Sequence, residues 1–125
     1  MPKLPLSKEQ KIKVEDYLKT YLTSKKLLRM EKYHNEYMHN YTYEDFDSTD
    51  REILDEAPLA RAKMLGVRHF ILGLDNSDEK LFLYYHYIKN ESVERCGELL
   101  GISRRTAYRL KEKALSLAYV NMYEK

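Results

Sequence analysis

The chain of 125 residues contains one cysteine, three prolines, four glycines and no tryptophan. A single cysteine, Cys96, excludes an intrachain disulfide framework and fits a reducing compartment. No apolar run approaches the ~20 residues of a membrane-spanning helix, and the first residues lack the apolar segment of a signal peptide. We therefore expect a soluble, intracellular protein that does not contact membranes.

The sequence also lacks the motifs of common catalytic and metal sites. His34 and His39 do not share a helix face, and neither His69 nor His86 has cysteines or carboxylates nearby at metal-ligand spacing. There is no glycine-rich phosphate loop, nucleophile elbow or paired-carboxylate motif. We expect no enzyme activity, metal or cofactor. The alternative is a magnesium-dependent nuclease that uses the acidic residues between Glu44 and Glu56, although no motif fixes their geometry.

Helix-breaking residues are scarce in the first half of the chain. No proline lies between Pro5 and Pro58, and the first glycine is Gly66. The length allows one core, or a small core with a helical arm. The sequence predicts an all-α fold, with an N-terminal helical arm and acidic connector over residues 1–58 and a C-terminal three-helix unit over residues 59–125.

The arm carries two apolar stripes that face different directions at helical spacing. Either the helix breaks at Thr23 and Ser24, with Ser24 as a new N-cap, or it bends around a neighbour. Tyrosines of the second stripe could stack on bases, but their helical spacing favours core packing. The first stripe comprises Val14, Tyr17, Leu18, Tyr21 and Leu28, and the second comprises Met30, Tyr33, Tyr37 and Tyr41.

Residues 42–50 have the composition of a loop, and Pro58 is predicted to open a new helix as its first residue. Beyond it, two apolar stripes predict a helix that packs on two sides. One stripe comprises Leu59, Ala62, Leu65, His69 and Leu72, and the other comprises Met64, Val67 and Ile71. A turn at residues 75–78 precedes a helix whose predicted core face comprises Leu81, Tyr84, Tyr85 and Ile88.

The strongest pattern lies between Ser92 and Leu115. Ser92 and Ser103 are N-cap candidates for two helices, and Gly101 stands where a left-handed C-cap is needed. This order of caps and turn is typical of a helix-turn-helix. The small residues Gly97 and Ala107 would allow its two helices to cross closely. The predicted inner faces comprise Val93, Cys96, Gly97 and Leu100 in the first helix, and Ala107, Leu110, Ala114 and Leu117 in the second.

The opposite face of the second helix is basic and aromatic. It comprises Arg104, Arg105, Tyr108 and Arg109, with Glu112 following. Arginine can pair bidentately with guanine or clamp phosphates, so this face suits the DNA major groove. The alternative is an ordinary helical hairpin with a solvated basic face.

The formal net charge is only +2, but charges of opposite sign are separated along the chain. Between Glu44 and Glu56 there are seven acids and one arginine, whereas between Ser103 and Lys113 there are five bases and one acid. The acidic stretch either solvates a connector or offers a surface to a basic partner.

Residues 74–88 and 92–115 together resemble the DNA-binding region 4 of sigma-70-type factors, in which a capped helix precedes a Leu-Gly-Ile-Ser turn and a basic helix. The segment from Gly101 to Leu115, followed by Leu117, Ala118 and Tyr123, is similar to ArpU and RinA type phage transcriptional regulators. The resemblance implies a small all-helical regulator of phage or prophage late genes. It also implies a location in the bacterial cytoplasm, at the nucleoid.

By this resemblance, Arg104, Arg105, Tyr108 and Arg109 read DNA bases at a promoter or operator. Phosphate contacts are assigned to the helix N-termini at Ser92 and Ser103, and to Lys111 and Lys113. The promoter-melting segments of a sigma factor are missing, which favours an auxiliary regulator. Two alternatives are a module that binds RNA polymerase or a phage protein, and a small terminase subunit. The N-terminal helices either pair two chains in a homodimer or fold back on the motif.

Overall fold

A computed structural model describes residues 6–38, 41–75 and 77–124. Within these ranges the chain is helical and contains no strand, which confirms the all-α prediction. None of the described helices is long and apolar enough to cross a membrane. The helices are α1 (Lys8–Tyr37), α2 (Ser48–Leu72), α3 (Ser77–Leu83), α4 (Val93–Leu100) and α5 (Arg104–Tyr119). A 3₁₀ turn covers Tyr43–Asp45, and π-helical segments, Tyr84–Ile88 and Val120–Glu124, extend α3 and α5.

Helix α1 runs for 30 residues without a break. Its start is fixed by a capping box, in which the Ser7 hydroxyl accepts from the Gln10 amide and the Gln10 side chain accepts from the Ser7 amide. Of the two alternatives for this stretch, the break at Thr23 and Ser24 does not occur. Ser24 lies buried in mid-helix, because α2 packs along this part of α1 and favours continuous helix there.

Helices α1 and α2 form an antiparallel hairpin. Three side-chain pairs show that the two helices run in opposite directions, because residues further along α1 contact residues nearer the start of α2. The pairs are Tyr21 with Arg68, Glu31 with Arg61, and His34 with Asp50. The inner face of α2 alternates steps of four and three residues, the spacing of a two-helix seam. It comprises Ile53, Ala57, Ala60, Met64, Val67 and Ile71.

The start of α2 differs from the prediction in two ways. Asp47 caps the helix by accepting from the Asp50 amide, so helix replaces loop from Ser48 onward. Pro58 lies inside α2 and does not begin a new helix. Buried alanines on either side of it, Ala57 and Ala60, pack in the seam and hold the helix continuous despite the amide that proline lacks. The expected domain boundary after residue 58 falls within this helix.

Two of the predicted core stripes are exposed. Met30, Tyr33, Tyr37 and Tyr41 are each more than half exposed, so the expectation of core packing for these tyrosines is wrong. The α2 stripe of Leu59, Ala62, Leu65, His69 and Leu72 is exposed as well. A two-helix layer buries only the facing sides of its helices, and the outer sides meet no other element of the described chain. The second α2 stripe, Met64, Val67 and Ile71, is inside as predicted.

One hydrophobic core joins the hairpin to the C-terminal helices. Helix α1 contributes Val14, Leu18 and Tyr21 to this core. Helices α3 to α5 contribute the fully buried Phe82, Leu83, Cys96, Ala107, Ala114, Leu115 and Ala118. The N-terminal helices therefore fold back onto the C-terminal unit.

The π-helical turn after α3 changes which side chains enter the core. Lys89 donates its amide to the Tyr84 carbonyl five residues back, and this wider turn brings Tyr87 and Ile88 to the inside. The predicted core face is therefore partly wrong, because Leu81 is exposed while Phe82 and Leu83 are fully buried. Asn76, in the turn predicted at residues 75–78, lies outside the described residues.

The joint between α4 and α5 agrees with the sequence prediction. Ser92 and Ser103 accept hydrogen bonds from the amides three residues ahead, and Gly101 adopts a left-handed conformation with φ of 70°. At Gly97, an added Cβ would lie 3.1 Å from the Cβ of Ala107. The absence of a side chain at Gly97 lets α4 and α5 cross closely.

The left-handed turn predicts a specific stability loss. Gly101→Ala should lower the free energy of unfolding by ~1 to 2 kcal/mol, because a Cβ disfavours this conformation. Gly101→Asn should lose less, since asparagine tolerates positive φ better than alanine. No atom outside the local chain lies within 4 Å of the added Cβ, so both variants test conformation and not crowding. Equal urea midpoints for all three proteins would contradict this.

The setting of His86 predicts a pH dependence. Burial lowers its pKa below the ordinary value of 6.5, while its Nδ1 donates to the Glu91 carbonyl at 2.7 Å. The imidazole therefore takes up a proton at a higher pH in the unfolded chain than in the folded chain. As a result, the free energy of unfolding decreases as the pH drops from 6.5 through the pKa of folded His86. Urea unfolding between pH 8 and 5 should show a smaller loss in His86→Gln than in the wild type. The exposed-site control His69→Gln should keep the full loss, and identical profiles for all three proteins would contradict the assignment.

Candidate nucleic-acid interface

The first two turns of α5 present the basic face that the sequence predicted. Arg104, Arg105, Tyr108 and Arg109 are all exposed, and together with Glu112 they line one continuous surface hollow. No ion pair within the described ranges engages Arg105 or Arg109. Their guanidinium groups are therefore available to an external acceptor.

Tyr108 is held in place from both sides. Its hydroxyl donates to Glu94 Oε1 on α4 at 2.9 Å, and the Arg104 guanidinium carbon lies 5.8 Å from the centre of its ring. The hydrogen bond from Tyr108 holds the pKa of Glu94 below its ordinary value, and the positive charge of Arg104 adds to this. Glu94 thus stays ionised and holds the aromatic ring beside the Arg104 guanidinium.

The cap serines use their hydroxyls within the protein. Ser92 Oγ accepts from the Arg95 amide at 3.0 Å, and Ser103 Oγ accepts from the Thr106 amide at 3.2 Å. Ser103 Oγ also donates to Thr106 Oγ1 at 2.9 Å. The serine hydroxyls are therefore not free for a ligand. The positive end of each helix and its first backbone amides remain accessible.

The two predicted phosphate lysines have different surroundings. Lys111 points toward α1, where its Nζ lies 3.7 Å from Glu15 Oε2 and its side chain is only 24% exposed. Lys113 is exposed and borders, with Arg109 and Thr106, a cleft of about 330 Å³ between α5 and the start of α3. Only Lys113 therefore belongs to the outer surface.

Helix α1 sets the far limit of the basic face. Lys11 Nζ lies 2.9 Å from both carboxylate oxygens of Glu112, and after the exposed Lys113 the helix becomes buried. Ala114, Leu115 and Ser116 are all buried. Because three consecutive residues of a helix point in three different directions, the helix is enclosed on all sides here. The accessible length from Arg104 to Glu112 is ~13 Å at 1.5 Å per residue.

Sequence reasoning missed Glu94 and Lys11 as parts of this site. Glu94 sits in the first turn of α4, and its distance from Tyr108 depends on the crossing of α4 and α5. Lys11 is 101 residues away from Glu112 in the chain, and no local pattern signals that contact.

The described residues include neither a reactive cysteine nor a metal-ligand cluster. Cys96 is fully buried, and burial raises the pKa of its thiol to about 11, so it remains a neutral core residue. Among the described residues, no group of three or more histidine, cysteine or acidic side chains could hold a metal ion.

No family model, curated protein or solved structure matches this chain. A functional assignment must therefore come from the arrangement of its own side chains.

The contact between Tyr108 and Glu94 predicts a measurable pKa change. Tyr108→Phe removes the donor, so the pKa of the Glu94 carboxyl should rise toward its ordinary value of 4.5. Carboxyl-carbon NMR titration measures this directly. Tyr119→Phe is the control, since Tyr119 contacts Tyr123 at the far end of α5 and should leave the pKa of Glu94 unchanged. An unchanged pKa in Tyr108→Phe would show that this hydrogen bond does not form.

Proposed function

We propose that this protein binds double-stranded DNA sequence-specifically and regulates transcription, with α4, the turn at Gly101 and α5 acting as a helix-turn-helix. The observation that carries the proposal is the exposed pair Arg105 and Arg109 on the first turns of α5, neither of which forms an ion pair within the described ranges. Tyr108 lines the same surface hollow and is fixed by Glu94.

The dimensions of the face support entry into the major groove. The groove is ~12 Å wide and ~8.5 Å deep, so it admits one helix. In the described chain only the first ~13 Å of α5 is free to enter, before Lys11 and Glu112 close the surface. In this arrangement Arg105 and Arg109 pair with guanine edges, and Tyr108 contacts bases or sugars.

Phosphate binding accompanies base reading in this proposal. The positive N-terminal ends of α4 and α5, capped by Ser92 and Ser103, suit phosphate oxygens. Lys113 extends the same surface. We leave Lys111 out of this role, because its ammonium group is directed at Glu15.

The biological setting comes from the resemblance to region 4 and to ArpU and RinA type regulators. We infer that the protein is an auxiliary regulator encoded by a phage or prophage, acting on late genes at a promoter or operator inside the host cell. Contact with RNA polymerase or a phage protein is the competing proposal, and the exposed tyrosines of α1 favour it. The DNA experiment below separates the two.

Arg105→Ala should weaken binding to the cognate duplex by ~1 to 3 kcal/mol, the value of a lost bidentate base contact. The cognate sequence is first obtained by selecting bound duplexes from a random-sequence library. Gel shifts over a series of salt concentrations then give the affinity for cognate and random DNA.

The control is Arg29→Ala, an exposed arginine on α1 far along the chain from the basic face, which should leave both affinities unchanged. If Arg105→Ala weakens cognate and random binding equally, Arg105 contacts phosphate and not a base. Absence of binding even at low salt would refute the DNA proposal and favour the protein-binding module.

A further inference from the structure

A pocket of about 290 Å³ lies between the middle of α1 and the turn that joins the π-helical segment Tyr84–Ile88 to α4. Helix α1 contributes Lys19, Thr23 and Lys26 to its wall, and the turn contributes Asn90. We call it the lysine pocket. Among the described residues that line it, none is acidic. The wall therefore carries two positive charges and no negative charge.

Helical spacing brings the two lysines of the pocket to one face of α1. Lys19 and Lys26 are seven positions apart, so their side chains leave the helix in nearly the same direction, ~10 Å from each other along its axis. Both are exposed, and neither forms an ion pair within the described ranges. Two like charges at one pocket, without a carboxylate between them, favour the binding of an anion.

The other polar groups of the pocket show which donors an anion can use. The Thr23 hydroxyl, His86 Nδ1 and the Tyr87 hydroxyl already donate to acceptors within the protein. The Asn90 side chain is exposed, and its amide is a donor like the two ammonium groups. Phosphate oxygens accept strong hydrogen bonds from charged donors of this kind.

The lysine pocket adjoins the surface that we propose for DNA binding. Asn90 precedes Ser92, the N-cap of α4, by two residues, and Glu94 in the first turn of α4 accepts from Tyr108 on α5. Four residues of extended chain span at most ~14 Å, so the Cα atoms of Asn90 and Glu94 lie no further apart than this. The major groove is ~12 Å wide, so the strand that borders a groove occupied by α5 can reach the pocket.

We propose that the lysine pocket binds phosphate groups of the DNA backbone, beside the groove that α5 enters. Lys19 and Lys26 neutralise the phosphate charge, and the Asn90 amide donates to a phosphate oxygen. The inference rests on the proposed DNA binding and adds α1 to the elements that contact DNA. Because phosphates are common to every base sequence, these contacts add affinity without sequence preference.

The first test measures how the affinity for DNA depends on salt. Lys19→Gln and Lys26→Gln should each weaken binding to cognate and random duplexes by the same factor. Each should also reduce the slope of log affinity against log salt by ~1, because one phosphate contact is lost. Gel shifts with the selected duplex measure both quantities. Both lysines are exposed, so the helicity and melting temperature of the variants should match those of the wild type.

The matched control is Lys25→Gln. Lys25 is exposed and neighbours Lys26 in sequence, but it points ~100° away around α1 and does not line the pocket. Its salt slope should equal that of the wild type. Wild-type slopes in both pocket variants, or an equal reduction in Lys25→Gln, would overturn the lysine pocket while leaving the proposed function in place. A wild type that binds no DNA at low salt would overturn both.

The second test separates backbone phosphate from a free phosphate compound. Single phosphates of the cognate duplex are replaced by uncharged methylphosphonates. At one or more positions the wild type should lose affinity, whereas the variant carrying both Lys19→Gln and Lys26→Gln should lose none, because the contact is already absent. The NMR signals of Asn90 should move when the duplex is added. Signals that move with inorganic phosphate and not with the duplex would assign the pocket to a free phosphate and overturn the proposal.

Discussion

The packing of α1 against the C-terminal helices is the contact on which the other features depend. Val14 and Leu18 are fully buried in a core that also contains residues of α2, α3, α4 and α5. Because α1 covers the second half of α5, only the first half remains accessible, and its basic side chains project from a rigid base. The same helix continues unbroken into the hairpin with α2. One helix therefore determines both the free face of α5 and the position of α2.

Acidic side chains around α5 concentrate its positive charge on the outer surface. Glu15 lies behind the helix, where it accepts from the Tyr87 hydroxyl at 2.8 Å and approaches Lys111. Glu112 engages Lys11 at the far edge. The inner and distal charges are thus balanced within the fold, while Arg105 and Arg109 remain exposed on the outer surface. A net charge of +2 conceals this division, since the separation arises only when the chain folds.

Local features of this fold could be predicted from the sequence, whereas features that depend on distant contacts could not. The caps at Ser92 and Ser103 and the left-handed Gly101 follow from neighbouring residues and agree with the structure. The exposed residues of α5 could be predicted because helical spacing places them opposite its single buried stripe. Continuity through Pro58 and the inward direction of Lys111 depend on α1, which is far away in sequence. The prediction that the tyrosines of α1 pack in the core was wrong. Periodicity shows that a helix has two apolar sides, but it does not show how many other helices pack against them.

That ambiguity has a physical meaning for the hairpin. A helix with two apolar stripes in a two-helix layer can bury one of them against its partner, and the other remains in water at a cost of roughly 25 cal/mol for each Å² of apolar area. Such a surface is stable in a soluble protein when a further partner covers it. On α2 the exposed residues Leu59, Leu65 and Leu72 form such a second stripe.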